Sequence, residues 1–157
     1  MAVAIWVGTT TGTAQFVAEE AAAILRRRRT TTVHMMEEIL GDPSSFLAPI
    51  LLVVCSTFGI GDMPDGARRL FTSLSRLRPD LSTVRHSVIT LGDSSYRSTF
   101  ALGGIRWSHL LVELGSHAIH ETLVLDAQAQ DGPDIAAGKW IAEFEVQLER
   151  ATSIRAS

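Results

Sequence analysis

The chain has 157 residues, 46% of them apolar, with a formal charge of -3 and a pI near 5.9. That length fits one domain with one substantial core, and the mild acidity excludes a nucleic acid as partner, because binding a phosphate backbone rests on clustered Lys and Arg. No stretch approaches the ~20 apolar residues of a membrane span, and Met1 to Gly8 is too short and lacks the basic start of a signal peptide, so no membrane partner and a cytoplasmic location are expected.

Short apolar runs alternate with helical patterns along the chain, which marks an α/β fold with a mainly parallel sheet. The first run, Ala2 to Val7, is nearly continuous, as a strand covered on both faces should be. A helix is predicted from about Thr13 to Arg28, where Ala14, Val17, Ala18, Ala21, Ile24 and Leu25 recur at steps of three and four. The basic run Arg26 to Arg29 falls at its C-terminal end, where cations meet exposed carbonyls, and no interleaved aromatics make it a nucleic-acid patch. Thr31 to Met35 is a weaker strand, and Ile50 to Cys55 a second buried one. Cys55 is the only cysteine, a small buried hydrophobe suited to a reducing compartment. Leu70, Phe71, Leu74 and Leu77 mark a second helix, and Ser87 to Leu91 is the fourth strand in chain order. Ile105, Leu110, Leu111 and Leu114 mark a third helix, stopped by Gly115 in the position a left-handed C-cap favours. Ala118 to Leu125 makes a fifth strand. Ile135, Ile141, Phe144 and Leu148 mark a last helix, with Asp134 complementing its N-terminal dipole. Residues 1–150 thus form one domain of five strands and four helices, and 151–157 a frayed tail. Trp6, Trp107 and Trp140 belong to the buried faces of these elements.

In open parallel sheets ligands bind at the carboxyl ends of the strands, so the segments that follow the strands carry the function. After the first strand comes Gly8-Thr9-Thr10-Thr11-Gly12-Thr13-Ala14, running directly into a helix. Glycines that expose N–H groups, four hydroxyls and a helix N-terminus make a phosphate cradle, or else a Thr-rich turn that caps the helix. The loop lacks the Gly-Lys-Ser/Thr of a nucleoside-triphosphate loop and the G-x-G-x-x-G of a dinucleotide fold. Neutral hydroxyls and amides suit a terminal monophosphate. After the third strand, Ser56-Thr57-Phe58-Gly59-Ile60-Gly61-Asp62-Met63-Pro64-Asp65-Gly66 is a bent loop with an aromatic at its start. After the fourth, Leu91-Gly92-Asp93-Ser94-Ser95-Tyr96 is a Gly turn with an aromatic close behind. Two aromatics beside a phosphate cradle can hold a flat ring by stacking. His34, His86, His109, His117 and His120 are scattered, and with no second cysteine no metal site is expected. No G-x-S-x-G elbow supports hydrolysis.

These three loops resemble the FMN-binding loops of the flavodoxin family, including the FMN domains of diflavin reductases. The phosphate loop is similar at Thr9 to Ala14. The first isoalloxazine loop is similar at Ser56 to Asp62, with its S-T-aromatic-G-x-G-D-x-P-D pattern, and the second at Leu91 to Tyr96 followed by Phe100. Asp80-Leu81-Ser82, Leu114-Gly115 and the compact length resemble most the MioC branch of short-chain flavodoxins. The resemblance implies a three-layer sandwich, a five-stranded parallel sheet of order 2-1-3-4-5 with helices on both faces. It further implies that Thr9, Thr10, Thr11, Gly12, Thr13 and Ala14 hold the FMN phosphate, that Phe58 and Tyr96 flank the ring, and that Ser56, Thr57, Gly59, Gly61, Leu91, Gly92, Asp93 and Phe100 complete the flavin loops. Gly59 falls where family members reorient a peptide toward the flavin N5. Asp62, Asp93 and Asp126 would disfavour further negative charge nearby. The chain departs from the family pattern in having three residues, Arg97-Ser98-Thr99, where two are common between the aromatics. It also departs at Phe58 in place of tyrosine or histidine, at Ile60 where an acid is common, and at Ala101 where Asn or Cys is common.

The resemblance implies an electron carrier, with no catalytic residues of its own, reduced by a separate NAD(P)H-dependent flavoprotein reductase. Its acceptor would be another enzyme, an iron–sulfur protein such as biotin synthase being suggested by the MioC branch, and it would act as a monomer. The alternative is an FMN-dependent reductase of a quinone or other small molecule, which needs room above the flavin and a substrate contact that so short a chain hardly supplies. A signalling receiver domain shares the strand order but needs an Asp at the end of the third strand, where this chain has Cys55-Ser56.

Overall fold

The three most apolar runs become the centre of the sheet. In the computed structural model, β1 (Val3–Gly8), β3 (Ile50–Ser56) and β4 (Arg85–Gly92) lie side by side and parallel, with Val3 opposite Ile50 and Ile50 opposite Arg85. The weaker run, β2 (Thr31–Met35), takes the edge beside β1. The structure describes the backbone of residues 1–156 and the side chains of residues 1–151; of the segment expected as a frayed tail, 151–156 continue the last helix, and Ser157 lies outside the described residues.

Alternation along the buried strands separates two cores. Val3, Ile5 and Val7, with Ile50, Leu52 and Val54, face α1 (Thr13–Leu25) and α5 (Pro133–Ala156). Ala4, Trp6, Leu51, Val53 and Cys55 face the other way, toward α3 (Asp65–Leu77) and α4 (Leu102–Glu113), with a short α2 (Met36–Ile39) beside them. Each large side chain buried in either layer contributes roughly 1.5–3 kcal/mol. Helices on both faces of a parallel sheet of order β2-β1-β3-β4, with the expected fifth-strand segment on the far side of β4, make the expected three-layer α/β sandwich. Trp6, Trp107 and Trp140 are all buried, as is Cys55, whose thiol burial pushes up to about 12. Among the described residues no helix is long and apolar enough to cross a membrane.

Besides the short α2, which the spacing did not predict, two elements differ from the expectation. The first helix ends at Leu25 rather than Arg28; Arg27 and Arg28 donate their amides to carbonyls three residues back, a tightened turn that leads into β2. Its cations serve the turn: Arg26 Nε donates to Thr31 O at 3.2 Å, and Arg28 pairs with Glu149 of α5 at 2.8 Å.

The expected fifth strand, Ala118 to Leu125, is two short strands, β5 (His117–Ala118) and β6 (Leu123–Asp126), both paired with β4. Ala118 stands opposite His86 and Leu123 opposite Ile89, so two residues of β4 face four on the partner side and the surplus must bulge. Ser87 fills the gap, its hydroxyl donating to His120 O at 3.3 Å and accepting from His120 N at 3.1 Å. The bulge is held from α5 by Trp140 Nε1, which donates to Glu121 O at 3.0 Å, and by Glu143 at 3.2 Å from His120 Nε2. The third helix stops as read: Gly115, at φ 101°, ends α4 with Ser116 N bonded to Leu111 O.

Candidate functional site

The carboxyl ends of β1, β3, β4 and β6 open onto one cavity of about 1000 Å³. Three of its walls are the three loops singled out in the sequence. Thr10, Thr11 and Thr13 contribute from the first, Ser56, Thr57 and Phe58 from the second, and Leu91, Gly92 and Asp93 from the third.

The first loop is shaped by Gly12, whose φ of 93° lies where a side chain is strained and whose amide donates to Thr9 Oγ1 at 2.9 Å. Thr9 thereby shapes the loop from within. No side chain caps the start of α1, so the amides of its first turn, together with the exposed hydroxyls of Thr10, Thr11 and Thr13, remain for a ligand. An uncapped helix start ringed by hydroxyls, in a loop without a cation, fits a phosphate monoester. Ala14 turns its side chain into the core.

The second loop is a tight hairpin. Phe58 and Asp62 exchange both backbone hydrogen bonds at 2.9 Å, which forces Gly59 (φ 54°) and Gly61 (φ 98°) into left-handed conformations and leaves Ile60 at the exposed tip. Phe58, 46% exposed, forms a cavity wall. Gly61 packs against Leu102, and neither it nor Gly59 reaches the wall. Thr57 has a hydroxyl already employed: Thr57 Oγ1 accepts from Gly103 N at 3.1 Å, and Thr90 Oγ1 from Gly104 N at 3.1 Å. Thr57, just past β3, and Thr90, within β4, thus cap α4, whose own N-cap, Ala101, offers nothing.

In the third loop Gly92 passes directly under the Phe100 carbonyl, where a Cβ would collide with backbone. Ser94 to Thr99 forms a 3-10 turn broken at Arg97, a non-glycine residue at φ 58° and ψ -122°. The kink falls within Arg97-Ser98-Thr99, the segment that separates the two aromatics. Tyr96, 48% exposed, and Phe100 stand on the same loop but outside the cavity wall.

A fourth wall did not emerge from the sequence. Val124 to Asp126 and the loop into α5, including Asp131, Gly132 and Pro133, line the rest of the cavity. Asp131-Gly132-Pro133 marks a helix start by its proline, but nothing local shows that it faces the other three loops. Asp126 ties this wall to the third loop. Its Oδ1 accepts from Ser94 N at 2.9 Å and Gln128 N at 3.0 Å, bonds that hold its carboxyl below the usual range. Asp93 is held low as well, chiefly by Ser95.

The family model described as "Flavodoxin" matches residues 5–140. The chain is 34% identical over 146 residues to the flavodoxin YqcA of Escherichia coli K12, covering 93% of this chain and 97% of that one. It is 33% identical over 138 residues to the protein MioC of the same organism, covering 87% and 91%. Among solved structures, a cysteine variant of a flavodoxin from Pseudomonas aeruginosa matches with a TM-score of 0.86 at 35% identity, covering 95% of this chain and 99% of that one.

Proposed function

This chain belongs to the flavodoxin family of FMN-binding electron carriers, and from that premise we propose that it holds one FMN through the residues of its three loops and carries electrons singly from a separate NAD(P)H-dependent flavoprotein reductase to an acceptor enzyme. The MioC likeness makes an iron–sulfur protein of the biotin synthase kind the acceptor class to test first. The observation that carries the reading is the uncapped start of α1 among the Thr10, Thr11 and Thr13 hydroxyls, in one cavity with Phe58.

In this reading Thr9 to Ala14 bind the phosphate, with Thr10, Thr11 and Thr13 donating hydroxyls and the first turn of α1 donating amides. Gly12 gives the loop its curvature. Ser56, Thr57, Phe58, Gly59 and Gly61 form one ring loop, and Leu91, Gly92, Asp93, Tyr96 and Phe100 the other. Phe58 and Tyr96 offer ring faces for stacking. FMN, when bound, supplies a planar redox centre that takes and releases electrons one at a time. Asp93 and Asp126 place two carboxylates on the cavity wall, which raises the cost of further negative charge there and so favours giving an electron up. The protein works in the cytoplasm as a monomer.

The test is direct. The purified protein is expected to bind FMN stoichiometrically and to oxidise NADPH only when a flavoprotein reductase is added. Turnover of a quinone with NADPH and no added reductase would replace the carrier reading with that of an FMN-dependent enzyme.

A further inference from the structure

We propose that Asp126 is the positioning residue that holds the second ring loop of the flavin site, with Gln128 as the brace that couples it to Asp93. The proposal rests on the FMN reading for its function and on hydrogen bonds of the protein alone for its geometry.

The chain leaves β4 at Gly92 and turns out over the cavity. Past the cap residue Asp93, the amides of Ser94 and Ser95 begin a 3-10 turn and have no partner within it. Ser95 N is met locally, by Asp93 Oδ1 at 2.9 Å. Ser94 N is met from another strand: Asp126, opposite Gly92 in the sheet register, brings its Oδ1 to 2.9 Å. The same oxygen takes Gln128 N at 3.0 Å, and Gln128 Nε2 returns to Asp93 Oδ1 at 3.1 Å. Five residues thus form a continuous strap across the end of β4 and β6. Ala127 N, bonded to Gly92 O at 2.8 Å, fastens it from the backbone.

The loop needs such an anchor. Arg97, a non-glycine residue at φ 58° inside the 3-10 turn, is strained, so the loop gains from a hold outside itself. Tyr96 N bonds to Asp93 O at 3.0 Å, so the aromatic follows wherever Asp93 to Ser95 are held. Neither carboxylate forms an ion pair among the described residues, although both line the cavity. Asparagine could make the same hydrogen bonds without charge. Carboxylates add strength to each bond, and they place negative charge at the wall where the flavin would lie.

Asp126→Ala, Asp126→Asn and Gln128→Ala are compared in the apoprotein and with FMN. In the apoprotein, amide exchange followed by NMR should show Ser94 losing protection at least tenfold in Asp126→Ala, with β1 and β3 amides unchanged. FMN titrated into the same variant should bind about tenfold more weakly, as expected for loss of a charged acceptor. Asp126→Asn, which keeps an acceptor oxygen, should restore most of the protection and bind FMN more tightly than the alanine variant, with a midpoint potential more positive than that of the wild type. Gln128→Ala should weaken protection at Ser94 by a smaller factor. Wild-type exchange at Ser94 in Asp126→Ala overturns the proposal, as does an asparagine variant with no rescue. If the wild-type protein binds no FMN, the flavin reading fails by itself, and the exchange data still decide the strap.

Discussion

Gly92 shows how much a single residue can decide at this site. Its Cα faces the Phe100 carbonyl, so even one methyl group meets backbone, which cannot step aside as a side chain can. Gly92→Ala should cost roughly 1–3 kcal/mol of apoprotein stability, as overpacking does, and should weaken FMN binding by moving the Asp93–Phe100 loop outward. Urea unfolding with an unchanged midpoint would contradict this. The sequence marked Gly92 as a turn residue; that Phe100, eight positions on, lies over it is a consequence of the turn at Ser94 to Thr99. Thr57 shows the reverse: it was legible as part of a flavin loop, but the use of its hydroxyl on Gly103 depends on a helix distant in the chain.

At the scale of elements, α4 illustrates an end supported from elsewhere. A helix starting at Ala101-Leu102-Gly103-Gly104 has a poor N-cap and two glycines in its first turn, a weak start by local rules. Thr57, just past β3, and Thr90, in β4, supply the missing acceptors, and the close approach they need is possible because Gly103 and Gly104 lack side chains. Thr90→Val should therefore destabilise the apoprotein by about 1–2 kcal/mol, read by urea or thermal unfolding. The effect of adding Thr57→Val should be less than additive, since the two hydroxyls lie 3.4 Å apart and share the same helix end. The divided fifth strand follows the same logic. The run from Ala118 to Leu125 reads as one strand, and the bulge appears only when it must align with both ends of β4 while Ser87, Trp140 and Glu143 hold its surplus.

For the whole molecule, a buried histidine far from the cavity sets the expected response to acid. Ser116 Oγ donates to Val84 O at 2.7 Å, so its contact with His86 Nδ1 at 2.6 Å requires Nδ1 to carry the proton. Nε2 is then an unprotonated, buried nitrogen without a partner. Burial first, and His117 second, push the His86 pKa down to about 4. Since the folded pKa lies below the unfolded value near 6.5, the stability it contributes is full above pH 6.5 and is lost as pH falls toward 4, about 3 kcal/mol in all. Unfolding free energies measured at pH 7, 5.5 and 4.5 should decline over that range, and His86→Asn should flatten the decline. Carboxylates held low, Asp80, Asp93 and Asp126, act below that window.

The sequence by itself determined the layers and the loops. Short, β-branched apolar runs bounded by turn residues favour strands buried on both faces, three- and four-residue spacing buries one side of a helix, and a Thr-Gly loop between them exposes amides without needing a distant partner. These are local consequences of side-chain size and backbone geometry, and they were legible in Val3 to Ala14, Ile50 to Asp62 and Ser87 to Tyr96. Tertiary structure alone decided the fourth wall of the cavity, the bulge after Ala118 and the strap from Asp126 to Ser94. Each depends on residues about thirty positions apart meeting across the sheet, where register, not composition, selects the partner.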